Sequence, residues 1–236
     1  MHTMPKQHCV DILGDKWWAG KGAQEHMYNE ADRNGDTVYL SSEYLFTSDG
    51  PKSRVYRSYK NWDKFLDGYY PFHIGEWHVS EMIRQGMPCK VYFDLDWPYS
   101  RYTEKEVIEH VRKFVQTFMK REFMVNTLDK DIHFKASSFN REDIMKGSLH
   151  CVVGGGVVVK TNTMLKDLVK RAVVEYADQV VRDCVDWKVY TKNRIMRLVY
   201  STKLGDPIAR MFSPVGNTTI RETLITYLDG HEKKIG

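Results

Sequence analysis

The chain has 236 residues, 42% hydrophobic, 13% aromatic and 28% charged. That is enough apolar mass for one large domain or two small ones, and it excludes disordered, collagenous and coiled-coil proteins. Lys and Arg number 35 against 31 Asp and Glu, a formal charge of +4, so a polyanion site must come from local clustering rather than from bulk charge. Cys9, Cys89, Cys151 and Cys184 form no CxxC pair, which argues against a zinc ribbon or a redox pair. They read as reduced thiols in a reducing, intracellular compartment. The N-terminus has no apolar signal-peptide core, and the longest apolar run, Val152 to Val159, is broken by three glycines. It falls short of the roughly 20 residues a membrane span needs, so no membrane partner is expected.

The first 87 residues are polar and rich in Trp and Tyr, with turn signals at Asn34-Gly35-Asp36 and Asp49-Gly50-Pro51. Short strands are expected at Val38 to Leu40 and Arg54 to Tyr56, and a helix over Trp62 to Tyr69. From Pro88 the pattern sharpens. Lys90 to Asp96 alternates as a strand, with Val91, Phe93 and Leu95 on one face and Tyr92, Asp94 and Asp96 on the other. Thr103-Glu104-Lys105-Glu106 is a capping box opening a helix, along which Val107, Val111, Phe114, Val115, Phe118 and Phe123 recur at helical spacing. A second strand fits Asp131 to Ser137, followed by a polar turn over Asn140 to Gly147. A third runs from Ser148 to Val153, with an extension to Val159 left open. The glycines 154–156 read as a bulge or turn, not a nucleotide loop. A second helix begins near Thr163, burying Leu165, Leu168, Val169, Ala172, Tyr176 and Val180. A fourth strand region begins near Asp186 and includes Ile195 to Tyr200.

This order, β-α-β-β-α-β, predicts an α+β fold with a ferredoxin-like, RRM-like module. In that topology the starts of strands three and four lie beside the end of strand one. A site would therefore gather residues 94–96, 148–150 and about 186. Asp94 and Asp96 point to one face, and two such carboxylates repel unless cations compensate them. With Asp186 they suit Mg²⁺ or Mn²⁺ and could form a two-ion site for in-line phosphoryl chemistry. A DxD also occurs by chance on solvated strand ends. Ser148 and His150 share a face, with Lys146 just ahead of them, a set that suits a triphosphate. Lys188, Lys192, Arg194, Arg197, Lys203 and Arg210 face one acid, Asp206, in a stretch that borders the predicted site. A solvated basic face is the usual meaning of such a run; here its position favours phosphate or nucleic-acid contact.

Three segments resemble the motifs of the archaeo-eukaryotic primase superfamily, similar to its PrimPol branch and to the primase domains of large DNA viruses and mobile elements. They are Pro88 to Asp96, Lys146-Gly147-Ser148-Leu149-His150, and Val185-Asp186-Trp187-Lys188-Val189-Tyr190-Thr191-Lys192-Asn193-Arg194-Ile195-Met196-Arg197-Leu198 followed by Ser201-Thr202-Lys203. The resemblance covers about residues 50 to 205. It implies an N-terminal α/β module (1–87) packed on an RRM-like catalytic module (88–225), with a C-terminal tail (226–236). The implied activity is that of a DNA primase-polymerase, a nucleotidyltransferase that starts or extends primers in DNA replication. In it, Asp94, Asp96 and Asp186 would hold the catalytic metals. Lys146, Ser148, His150, Arg194, Arg197, Lys203 and Arg54 would bind the nucleotide. The implied partners are single-stranded DNA template, primer, nucleoside triphosphates and a fused or associated helicase, and the implied location is the site of DNA replication, in a virus-infected cell for the viral branch. The zinc module that supports priming in the PrimPol family is not seen here. The competing classes are a non-catalytic single-stranded nucleic-acid-binding module, a metal-dependent nuclease and a DxD glycosyltransferase. The last predicts longer alternating β and α units than the sequence displays.

Overall fold

The computed structural model describes residues 8–12, 14–45, 52–69, 78–137, 146–206, 210–228, 230 and 233–235. The chain begins with β1 (His8–Ile12), β2 (Asp15–Ala19), α1 (Ala23–Asn34), β3 (Val38–Tyr44), β4 (Ser53–Tyr59), α2 (Trp62–Tyr69) and β5 (Val79–Ile83). It continues through β6 (Cys89–Pro98), α3 (Glu104–Phe123), β7 (Ile132–Ser137), β8 (Lys146–Val159), α4 (Asn162–Tyr176) and α5 (Gln179–Cys184). The last strands are β9 (Arg194–Arg197), β10 (Ser213–Pro214) and β11 (Lys233–Ile235). The architecture is mixed α+β with predominantly antiparallel sheets. The chain divides into two compact units, Met1–Met82 with Ile195–Met211, and Ile83–Arg194 with Phe212–Gly236.

The first unit is built on a six-stranded sheet of order β1-β2-β4-β3-β5-β9. The strands expected at Val38 to Leu40 and Arg54 to Tyr56 are present and longer, pairing antiparallel from Val38↔Tyr59 to Tyr44↔Ser53. The helix expected over Trp62 to Tyr69 is α2. Its Phe65 packs edge-on against Tyr59 and Trp62. Helix α1 was not legible beforehand. It buries Met27, Tyr28 and Ala31 against Tyr39 and Met82, and it ends at Gly35, whose φ of 69° is readily adopted by glycine. The turn at Asp49-Gly50-Pro51 lies outside the described residues.

In the second unit β8 is the central strand. Antiparallel β6 and antiparallel β7 both pair with it, parallel β11 pairs with its last residues, Val157 to Val159, and β10 extends the sheet from β7. The alternation of β6 sends Phe93 toward α3, where its ring meets Phe114 at 5.7 Å and Phe118 at 5.5 Å. The predicted capping box forms: the Thr103 hydroxyl accepts the Glu106 N–H, and Glu106 accepts the Thr103 N–H. All six expected apolar positions of α3 are buried, with Met119 beside them.

Three expectations are corrected. Lys146 and Gly147 belong to strand β8 rather than to a turn, and residues 138–145 lie outside the described set. The second helix is two helices. Asp178 accepts the Val181 N–H and so caps a new helix, which places Val180 on α5; Leu168, Tyr176 and Val180, expected to be buried, are half-buried. No fourth strand runs from Asp186. Residues Trp187–Val189 make a 3₁₀ turn, and only a single bridge pairs Leu95 with Val185. The strand expected within Ile195 to Tyr200 is β9, which joins the sheet of the first unit.

Candidate active site

The register of the second sheet stacks polar side chains in rows. Asp94 lies opposite His150, which lies opposite Lys135. One step along the same face, Asp96 lies opposite Ser148, which lies opposite Ser137. Directly opposed residues on antiparallel strands share a face and sit close enough to interact. His150 Nε2 is 3.4 Å from Asp94 Oδ1, with both side chains at most 10% exposed. Phe212 lies over the imidazole at 4.2 Å between ring centroids. His150 thus lies between a carboxylate and an aromatic face. Lys146 Nζ reaches Asp96 Oδ2 at 2.7 Å, in a more open setting.

Asp186 arrives by another route. Its backbone N–H donates to the Asp94 carbonyl at 2.9 Å, and its Oδ1 accepts the Lys188 N–H at 2.8 Å, capping the 3₁₀ turn. Two buried tyrosines fasten this turn to β6. Tyr92 donates to the Val189 carbonyl at 2.8 Å, and Tyr190 donates to the Tyr92 carbonyl at 2.9 Å. Burial, then Tyr92 and the Asp94 carboxylate, push the Tyr190 phenol well above its ordinary pKa, so it stays a donor. Burial likewise raises the Cys151 thiol, next to His150, which removes it as a nucleophile.

Gly147 has a packing reason. A Cβ there would lie 2.3 Å from the indole of Trp97, its partner across the ladder, and Trp97 is buried. The strand carrying Lys146, Ser148 and His150 is therefore drawn onto the ring.

Of the residues singled out from sequence, Asp94, Asp96, Asp186, Lys146, Ser148 and His150 come together at one end of the β6–β8 ladder. Arg194, also of the second unit, opens β9 after Asn193, whose φ is 51°. Arg54, Arg197 and Lys203 belong to the first unit. There Arg54 is opposite Glu43, whose Oε2 accepts the Leu204 N–H at 2.6 Å, next to Lys203.

Two residues of the second-unit site escaped sequence reasoning. Lys135 is fully buried in the Asp94–His150 row, although a lysine on a strand reads as solvated. Phe212 lies in a stretch without periodicity, and only the fold brings it to His150.

The donors of Asp94 and Asp96 are hard oxygens on one face, which suits Mg²⁺ or Mn²⁺ chemically. Among the described residues, no group of three His, Cys, Asp or Glu side chains is arranged to hold an ion. Asp96 is directed to Lys146 and Asp186 to a backbone amide. No described helix is long and apolar enough to cross a membrane. No family model matches the chain, and no curated protein matches it.

Proposed function

We propose that the chain is a DNA primase-polymerase of the archaeo-eukaryotic primase type, adding nucleotides to a primer on a single-stranded DNA template. The observation that carries this reading is the row structure of β6 and β8. Asp94 faces His150 and Asp96 faces Ser148, with the Asp186 amide bonded to the Asp94 carbonyl. Three segments distant in sequence thus contribute to one end of one sheet.

In this reading Asp94, Asp96 and Asp186 hold Mg²⁺ or Mn²⁺, which would neutralise the triphosphate and acidify the attacking hydroxyl. Lys146, 63% exposed at its side chain, is the group that would turn from Asp96 to a phosphate. His150, oriented by Asp94 and Phe212, would donate a hydrogen bond to a phosphate oxygen. Ser148 would do the same from the next row. Arg194, Arg197, Lys203 and Arg54 are proposed as further phosphate contacts. A helicase is proposed as a fused or associated partner.

The experiment is extension of a labelled primer-template, and separately of unprimed single-stranded DNA, with nucleoside triphosphates and Mg²⁺ or Mn²⁺. Asp94→Ala is the control. Extension that falls to background in Asp94→Ala is expected. A second reading, a non-catalytic single-stranded nucleic-acid-binding module, is favoured by the Lys146–Asp96 ion pair, in which one of the three carboxylates is already neutralised. It predicts DNA binding without extension, unaffected by Asp94→Ala.

A further inference from the structure

At the other end of the β6–β8 ladder the second unit opens a cleft of about 400 Å³. Its floor is the place where β8 leaves the ladder. Val91 pairs with Val153 but Lys90 pairs with Val158, so residues 154–157 are extra on β8. Glycine makes this excursion possible in two ways. Gly155 and Gly156 have φ of 77° and 80°, which side-chain-bearing residues rarely adopt. A Cβ on Gly154 would lie 2.9 Å from His133 Nε2, so its absence makes room for the imidazole at the cleft wall. The excursion gives up regular pairing in the middle of a long strand, and what it opens is the cleft.

The lining combines cations with one aromatic face. Lys90, Lys130 and Arg221 surround the opening, and the Lys90 ammonium is 5.5 Å from the centre of the Tyr227 ring. Two carboxylates, Asp131 and Glu222, also border it; each accepts a backbone N–H, and Glu222 also feels the charge of Lys90, so three cations stand against two acids. Asp131 Oδ2 accepts the Leu128 N–H at 3.3 Å, and Glu222 Oε2 accepts the Thr219 N–H at 2.6 Å. His133 Nδ1 lies 3.9 Å from Glu222 Oε2, and burial lowers the imidazole pKa, favouring its neutral form. A neutral imidazole offers both a donor and an acceptor. The volume lies within the range of small-molecule sites, about 300–1,000 Å³, and exceeds what a lone phosphate needs.

We propose that this cleft binds a nucleotide unit, with its phosphate against Lys90, Lys130 and Arg221 and its base against Tyr227. The cations supply charge-assisted hydrogen bonds, and the ring supplies a stacking face. The site is separate from the Asp94–Asp96 end of the ladder. Asp96 lies six positions along the strand from Lys90, about 20 Å at roughly 3.3 Å per residue. It uses none of the residues assigned above to catalysis, so it stands or falls independently of the primase-polymerase reading.

The nucleotide has two sources, a free mononucleotide or one unit of a strand. The test is a titration of the ¹⁵N-labelled chain, without added metal, by thymidine 5′-monophosphate, by a short oligothymidylate and by inorganic phosphate. The expected result is movement of the Gly154, Gly155, Gly156 and Tyr227 amide signals. The double variant Lys130→Ala/Arg221→Ala, at two exposed positions, should weaken binding at least about tenfold. Asp94→Ala should leave it unchanged. Movement with the mononucleotide assigns a free-nucleotide site; movement only with the oligonucleotide assigns a strand site. The proposal is overturned if neither ligand moves these signals, if the double variant binds as tightly as the native chain, or if inorganic phosphate reproduces the effect at equal affinity.

Discussion

Gly147 shows how one missing side chain sets a site. Its Cα pairs with Trp97 across the ladder, and the buried indole occupies the space a Cβ would need. Gly147→Ala should cost about 1–3 kcal/mol, the usual penalty of overpacking, read as a shift in urea midpoint. Because Lys146 and Ser148 flank the displaced residue, the proposed nucleotide incorporation, measured well below that midpoint, should fall further than the loss of folded protein explains. Activity that merely tracks the folded fraction would refute this coupling. The glycine was visible in the sequence, but its reason was not, since a residue between Lys146 and Ser148 reads equally well as part of a turn. The aspartates were more legible, because alternation along Lys90 to Asp96 determines which side chains share a face. Lys135 and Phe212 were not. A buried lysine violates the expectation for its type, and Phe212 acts through a contact 62 positions away from His150.

At the scale of elements, α3 was readable because every local signal agrees. Its apolar stripe has helical spacing, its first turn carries acids, and Thr103 and Glu106 cap it reciprocally. Hydrogen bonds from the Thr103 hydroxyl and N–H hold the Glu106 carboxyl below its ordinary pKa. A depressed carboxylate favours the folded state at pH above its unfolded value, and the contribution is lost as pH falls through the folded one. Stability relative to Glu106→Gln should therefore decline as pH drops below 4.5, the unperturbed value. Urea titrations of both proteins across that range would show it, and a constant difference would contradict it. The second helix was misread because Asp178 lies on an otherwise helical pattern, where it caps a fresh start instead of continuing the old one. The fourth strand failed for a related reason. Asp186 spends its carboxylate on the Lys188 amide, which turns the chain away from the ladder after one bridge. The glycines 154–156 were read as a bulge or turn, and β8 bulges there before resuming its pairing to Val159.

For the whole molecule, the net charge of +4 says less than its distribution. Of the basic run from Lys188 to Arg210, Arg210 is paired with Asp206 at 3.6 Å, whereas Lys188 and Lys192 are exposed. If single-stranded DNA is a partner, each phosphate neutralised should contribute about 0.7 to the slope of log affinity against log salt. Lys188→Ala/Lys192→Ala should lower that slope by about 1.4, measured by anisotropy of a labelled oligonucleotide. An unchanged slope would remove both lysines from the interface.

The first unit is discontinuous, since it takes up residues 195–211 after the chain has traversed residues 83–194. Its sheet places β9 at the end of the order, beside β5. On a ribosome adding about 5–20 residues per second, β5 emerges on the order of ten seconds before β9. During that interval a strand whose five residues all end up buried has an unpaired edge. Such an edge is a template for pairing with another nascent chain. Biosynthesis, rather than equilibrium stability, is then the stage at which this architecture is most exposed to misassembly.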